Sequence, residues 1–477
     1  MKISLKHPEE QSAQADVRRI FDHTLEMVLP ESALRHYVSL DKSTGTLVVD
    51  DRKYNLNKFE RIFIVGGGKA ARRTGAELVK ILGDRITAGI LNVYQEQAKE
   101  PVSDRIRLFA ADHPVPNNEG IKGARQMIEL LQKADVGTLV IALISGGGSS
   151  LMAIPAAGIS LADYQEVIKL LLTVPATIDE INTVRKHIDL LKGGRMRKYA
   201  RNAGGFISLV LSDVPVTKTG IVDDPSVISS GPTMGDDSTF QVAKTVLQDY
   251  QIWSRTPPAV REYIETNIGK TENETLPENS PLLIYNRSQY VIIANNDRAM
   301  VAAGEKAKQL GYKVQLIAFG TGTTESKIKA EVNEELENIF RIVVPHLIDT
   351  DSITFASFST DGIDGNSKLA GAMADSDTLK LASGQGLDYK NYLANYDSAT
   401  FFKKLGLGIE TGPTGTNVAD VTVVLVNNPD KPVRKLAFIF GGEATVNISL
   451  PGGMKPGSGG RNTHLVLLAA EKMAQLI

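Results

Sequence analysis

The chain has 477 residues, carries 53 Lys and Arg against 55 Asp and Glu, and contains no cysteine. Its near-zero net charge leaves no basic footprint for a nucleic-acid partner, and the lack of Cys excludes disulfides, thiolate nucleophiles and Cys-based metal sites. The length asks for more than one hydrophobic core, and two domains are expected. No amino-terminal apolar h-region and no apolar run of about 18 residues is present, so the sequence reads as soluble and cytoplasmic, without a membrane partner.

In chain order, Val17, Ile20, Phe21, Leu25 and Val28 recur at helical spacing and Pro30 closes the pattern, which predicts a packing helix over 12–28. A polar, hairpin-like passage follows at 41–54. The pattern then alternates. Strands are expected at 61–65, 88–93, 106–110, 138–144 and 206–211, with helical stretches near 70–82, 120–134 and 163–172 between them. Such alternation predicts a parallel sheet covered by helices. Residues 267–280, NIGKTENETLPENS, lose their apolar positions and read as the linker. Beyond it, strands at 290–294, 313–318, 352–357, 421–426 and 436–440 and a helix at 297–310 imply a second α/β domain. The expected fold is therefore α/β, with two domains, 1–275 and 281–477, each a helix-covered, mostly parallel sheet.

Two strand-to-helix junctions carry the strongest chemical signal. RIFIVGGGKAA ends an apolar run at Gly66, Gly67 and Gly68 and then presents Lys69. Bare glycines admit an oxyanion close to the backbone, a following helix start offers N–H groups, and the lysine adds a mobile charge. The spacing is not a Walker A loop, although G-x-G-x-x-A from Gly66 to Ala71 keeps a dinucleotide site open. TLVIALISGGGSSLM repeats the device with Gly146, Gly147 and Gly148, then Ser149 and Ser150. The serines suit phosphate contact and equally suit a helix cap.

Further along, NTVRKHIDLLKGGRMR groups Arg185, Lys186, Lys192 and Arg195 around a glycine pair, an arrangement that fits either anion contact or a solvated face. Asp213 directly follows an apolar strand in LVLSDVP, a metal or general-base position in α/β folds and also a loop-capping one. In the second half, SFSTDGIDG supplies Asp361 and Asp364, ETGPTGTN ends at Asn417, FIFGGEATV presents Glu443, and PGSGGRNTH brings out Arg461. Glycine loops bearing carboxylates and single cations are what phosphoryl transfer needs, because its transition state is stabilised by positioned charge.

Together GGGKAA, DHPVP, ISGGGSSLM, NTVRKHIDLLKGGR, SDVP, DDPSVISSGPT, STDGIDG, TGPTGTN, GGEATV and GSGGRN resemble the type II glycerate kinases, with matches from Arg61 to Arg461. The resemblance implies a Rossmann-like amino-terminal domain, a MOFRL-type carboxyl-terminal domain, an active site in the cleft between them, and transfer from ATP to the 2-hydroxyl of D-glycerate with Mg2+. By motif, Lys69 and Arg461 correspond to the family's essential lysine and arginine, and Asp213 joins them as a catalytic residue. Gly66 to Gly68, Gly146 to Gly148, Ser149, Ser150 and Asn417 are expected at the nucleotide, and Asp361 and Glu443 at the metal. A homodimer is an allowed assembly. Three departures stand out. The GGE and GGRN segments here follow the TDG and GPTGTN loops, so the carboxyl-terminal domain reads as circularly permuted. Thr463 and His464 replace the Gln and Glu that usually follow the arginine motif, and VTKTGIV lengthens the loop after Asp213.

Two other functions are weighed. A hydroxypyruvate reductase would use the G-x-G-x-x-A match, yet it expects an acid about 20 residues on, where ILNVY has none. A glycerate-binding protein without turnover would bind ligand and consume no ATP.

Overall fold

The computed structural model describes residues 12–214, 222–284, 288–318, 331–348, 352–428, 435–442, 446 and 455–476. The chain forms two compact units, residues 30–293 and residues 1–29 with 294–477. Among the described residues, no helix is long and apolar enough to cross a membrane.

The 30–293 unit begins with an antiparallel sheet of β1 (Val38–Asp41), β2 (Thr46–Val49) and β3 (Arg52–Asn55), which is the polar hairpin passage. Its main sheet contains β4 (Arg61–Gly67), β5 (Ala88–Tyr94), β6 (Ile106–Ala111), β7 (Thr138–Ser145), β8 (Gly205–Leu211) and β9 (Ser288–Ala294), in the spatial order β6-β5-β4-β7-β8-β9. The neighbours from β6 to β8 all pair in parallel. Every residue of β7 and β8 is buried, as expected of strands covered on both faces, and this is why they read as continuous apolar runs.

The second unit contains β10 (Lys313–Ala318), β11 (Ser352–Ser359), β12 (Gly371–Asp375), β13 (Gly408–Ile409), β14 (Asp420–Asn427) and β15 (Lys435–Gly442), ordered β10-β15-β14-β11-β12-β13. The two-domain α/β architecture holds, while the pairing here departs from the parallel pattern. Only β10 and β15 run in parallel, and the other neighbours are antiparallel. The cause is the connections. The chain passes from β14 to β15 within 428–434, too short a span for the crossover that parallel neighbours require.

Two boundaries differ from the sequence reading. The helix Ala13–Val28 belongs with the carboxyl-terminal unit: its stripe of Val17, Ile20, Phe21, Leu25 and Val28 is buried, and Phe21 packs on Phe358 with ring centroids 4.1 Å apart. Tyr312 donates to Asp16 at 2.8 Å, and Thr416 Oγ1 donates to Val28 O at 2.8 Å. Residues 267–280 are not a loose linker but a strap on the first unit. Leu276 N–H donates to Gly193 O, Glu274 accepts from Phe240 N–H and pairs with His187, and Thr275 Oγ1 donates to Asp236 O. Their polarity serves these bonds, and the division between units falls after β9 has joined the first sheet.

Candidate active site

In the main sheet of the first unit β4 lies beside β7, in register from Arg61 beside Thr138 to Gly67 beside Ile144. From β4 the chain winds outward to β5 and β6, and from β7 it winds the other way to β8 and β9. Both glycine loops therefore leave the sheet at the carboxyl ends of the two strands where the winding reverses. Doubly wound sheets bind their ligands at that point.

The two loops differ in what they do with their backbone. In the first, Gly68 N–H donates to Asn92 O at 3.2 Å, Lys69 N–H to Gly146 O at 2.9 Å, and Ala70 N–H to Ser145 Oγ at 3.0 Å. A Cβ at Gly66 would stand 1.9 Å from Leu143 O, and one at Gly68 2.2 Å from Ser145 Oγ, at φ of 141° and 134°. These glycines let β7 close on β4. Gly67 likewise faces Met152 and Asn92. The loop thus offers a side chain, Lys69, rather than a cradle of amides.

In the second loop, among the described residues, no acceptor takes the amide hydrogens of Gly147, Gly148 or Ser149. A Cβ at Gly146 would stand 2.0 Å from Asp213 Oδ2, so the carboxylate at the end of β8 lies against this loop. Ser230 Oγ donates to Asn182 Oδ1 at 2.8 Å and accepts from Ser149 Oγ at 2.8 Å. Ser229 Oγ donates to Ser145 O at 2.8 Å. Ser229 and Ser230 hold φ of 53° and 61°, conformations that a non-glycine residue keeps only when its surroundings enforce them. Ser150 Oγ, buried, donates to Pro114 O at 2.7 Å and ties down the DHPVP segment. The longer loop at 215–221 lies outside the described residues.

Most cations of the NTVRKHIDLLKGGRMR segment are internal. Lys186 pairs with Asp236 at 2.8 Å, Lys192 with Asp189 at 3.1 Å, and Arg195 donates to Asn273 O at 2.8 Å, all three buried. Both open readings, anion contact and a solvated face, give way to structural pairing for these three, because a buried cation must be matched. Arg185, at the other end of this cluster, adds its charge to that of Lys69 at His113. Burial first, then the charges of Lys69 and Arg185, hold His113 down at about 4, so its imidazole is neutral at pH 7. Sequence reasoning placed His113 only inside a motif, and the spacing gave no sign that it meets Lys69.

A dinucleotide site would need an acid at the end of β5. β5 ends at Tyr94 and carries no acid, and its Asn92 donates to Gly120 O at 2.7 Å and to Leu151 O at 2.6 Å inside the core.

In the second unit three motifs interlock through glycines. A Cβ at Gly362 would meet Gly412 O at 2.0 Å, and one at Gly365 would meet Gly459 O at 2.3 Å. The TDGIDG, GPTGTN and GSGGRN loops are thereby pressed together. Asp364 is buried and accepts from Asn462 N–H at 3.0 Å and Thr463 N–H at 2.8 Å, so it caps the helix Arg461–Leu476. Arg461 opens that helix and forks through Nε and Nη2 onto Asp420. A guanidinium has five donors, so this pair orients it without exhausting it. Asn417 Oδ1 accepts from Ala419 N–H at 3.3 Å, beside the Arg461 partner Asp420. His464 stacks on Tyr396 at 5.3 Å, a packing role. Glu335, on the helix Val332–Val343, is a further residue the sequence did not flag. It is 7% exposed, and burial, then the Asp420 charge, push its carboxyl up to about 8 against the pull of Arg461.

Of the two expected metal ligands, Glu443 lies outside the described residues. Asp361 Oδ1 accepts from Ser359 Oγ and Ile363 N–H, each at 3.0 Å. Among the described residues, no three His, Asp or Glu gather as an ion cage. Of the expected pair only Asp361 is described, a single carboxylate, and Mg2+ sites that bind phosphates use few protein carboxylates and complete their shell with phosphate oxygens and water.

Comparison with known proteins gives two family matches, the domain of unknown function DUF4147 over residues 16–265 and the MOFRL family over residues 299–420. A glycerate 2-kinase of Pyrococcus horikoshii is 31% identical over 425 residues, covering 81% of this chain and 91% of that protein. A putative hydroxypyruvate reductase of Agrobacterium vitis is 33% identical over 393 residues, covering 77% of this chain and 99% of that protein. The crystal structure of glycerate kinase from Thermotoga maritima superposes with a TM-score of 0.70, at 28% identity over 86% of this chain and 98% of that one.

Proposed function

The chain belongs to the glycerate kinase family that joins a DUF4147 domain to a MOFRL domain, and from that membership we propose that it phosphorylates D-glycerate at the 2-hydroxyl, with ATP as donor, to give 2-phosphoglycerate. The observation that carries this reading is the pair of glycine loops side by side at the winding reversal, one presenting Lys69 and the other presenting uncommitted amides.

In this reading the amides of Gly147, Gly148 and Ser149 bind donor phosphate oxygens, and Lys69 draws charge from the transferring phosphoryl group. Asp213, against Gly146, accepts the proton of the attacking hydroxyl as its oxygen bonds to the γ-phosphorus and the bridging P–O bond breaks, ADP leaving with the electron pair. Arg461, oriented by Asp420, binds an anionic group of the substrates, and Asn417 contacts the nucleotide. Mg2+, held at Asp361 and Glu443, would neutralise charge on the β- and γ-phosphate oxygens.

The reductase alternative has a named relative in its favour, but the acid-free end of β5 removes the ribose contact it needs. The test is ADP release with D-glycerate, ATP and Mg2+, followed by NMR of the product. We expect 2-phosphoglycerate. A 3-phosphoglycerate product would overturn the regiochemistry, and no ADP from folded protein, with steady NADH oxidation by hydroxypyruvate, would overturn the kinase.

A further inference from the structure

We propose that His113 joins Lys69 in an oxyanion pocket over Gly147, which takes a carboxylate or phosphate of the substrates. This rests on the kinase reading and adds to it a residue that the family motifs leave without a role.

The geometry begins with the bare face of Gly147. A Cβ there would stand 3.4 Å from His113 Cδ2 and 3.5 Å from Lys69 Cγ, so the glycine lies between the two side chains at φ 81°. The His113 segment is held firmly. Ser150 Oγ donates to Pro114 O at 2.7 Å, Gln165 Nε2 to Pro116 O at 2.7 Å, and the His113 ring meets Tyr94 edge-on at 6.3 Å. The neighbouring carboxylate is directed elsewhere: Asp112 accepts from Gln95 at 2.6 Å and from Asn117 at 2.8 Å. Asp213 lies against Gly146. After its burial, His113 feels the charges of Lys69 and Arg185, and Arg185, after its own burial, feels Tyr164 and Asp189.

Burial first, then the charges of Lys69 and Arg185, hold the basicity of the ring near 4, so beside Lys69 it brings a hydrogen-bonding group and not a second cation. An arriving oxyanion reverses that balance. It favours the protonated ring and so raises the midpoint, while near pH 7 the neutral ring still has an N–H to donate to the anion. Such a pocket costs little repulsion when empty and is strongly attractive when filled. Ser149, hydrogen-bonded to Ser230 and through it to Asn182, adds a fixed hydroxyl beside the same loop.

The experiment is an NMR titration of His113 in the full chain, its signal assigned by its loss in His113→Gln. It is run alone, with D-glycerate, with inorganic phosphate, and with Mg2+ and a non-hydrolysable ATP analogue. A rise of about one pH unit or more in the His113 midpoint is expected. A rise with glycerate alone identifies a carboxylate occupant, and a rise with phosphate or the analogue identifies a phosphate; either supports the pocket. No rise with any ligand overturns it. In parallel, His113→Gln should raise KM for that same ligand about tenfold and lower kcat less. A lower melting temperature with KM unchanged would mean a merely structural residue and also overturns the proposal. Because the titration needs no turnover, a shift without ADP release would count against the kinase alone, and ADP release without a shift against the pocket alone.

Discussion

The two glycine loops of the first sheet are near twins in sequence and opposites in use. In RIFIVGGGKAA the amides are taken by Asn92, Gly146 and Ser145, and the missing side chains make room for β7. In TLVIALISGGGSSLM the glycines make room for Asp213 and Ser229, and the amides of 147–149 have no acceptor among the described residues. One loop is a joint that presents a lysine; the other is a candidate cradle. A glycine triplet after a strand therefore marks close approach, and what approaches is set by neighbouring strands.

That contrast can be broken in four ways. The largest effect belongs to Lys69→Ala, which should lower kcat by about a thousandfold or more while the melting temperature stays within a few degrees, since a charge-stabilising contact is lost but no packing. A folded variant with full activity would remove Lys69 from the chemistry. Next, Gly66→Ala drives a Cβ into Leu143 O and should cost roughly 3 kcal/mol or more of stability in urea unfolding, with weakened expression expected. A stable variant would mean the first loop is not a packing joint.

Gly147→Ala probes the other loop. Its Cβ meets nothing nearer than 3.4 Å, so the stability loss should be only about 1–2 kcal/mol from the positive φ, while KM for ATP rises about tenfold. An equal loss of stability at Gly66 and Gly147, with ATP binding intact, would erase the distinction. The smallest effect is at Ser150→Ala, which removes the donor to Pro114 O and should cost about 1 kcal/mol, read by thermal unfolding. A large rise in KM there without that loss would instead make Ser150 a ligand contact.

Much of the fold was legible because local pattern carries it. The fully buried runs of β7 and β8, the helical stripe of 12–28 and the turn chemistry of 41–54 are all properties of a short stretch of chain. The candidate loops were legible for the same reason. The burial of Lys186, Lys192 and Arg195 was not, since Asp236, Asp189 and Asn273 O reach them only after folding. Nor was Glu335, which reads as the polar face of an amphipathic helix until Asp420 and Arg461 are placed beside it.

The sequence by itself determined the α/β class, the two glycine loops at strand ends and the residues that open them, because apolar period and backbone freedom depend on neighbours in the chain. Tertiary structure alone decided which amides are occupied, that β15, last in sequence, lies between β10 and β14, that helix Ala13–Val28 joins the carboxyl-terminal unit, and that His113 and Lys69 flank Gly147. Each of these is a pairing between segments far apart in sequence, fixed by which surfaces and hydrogen-bonding groups can be satisfied together.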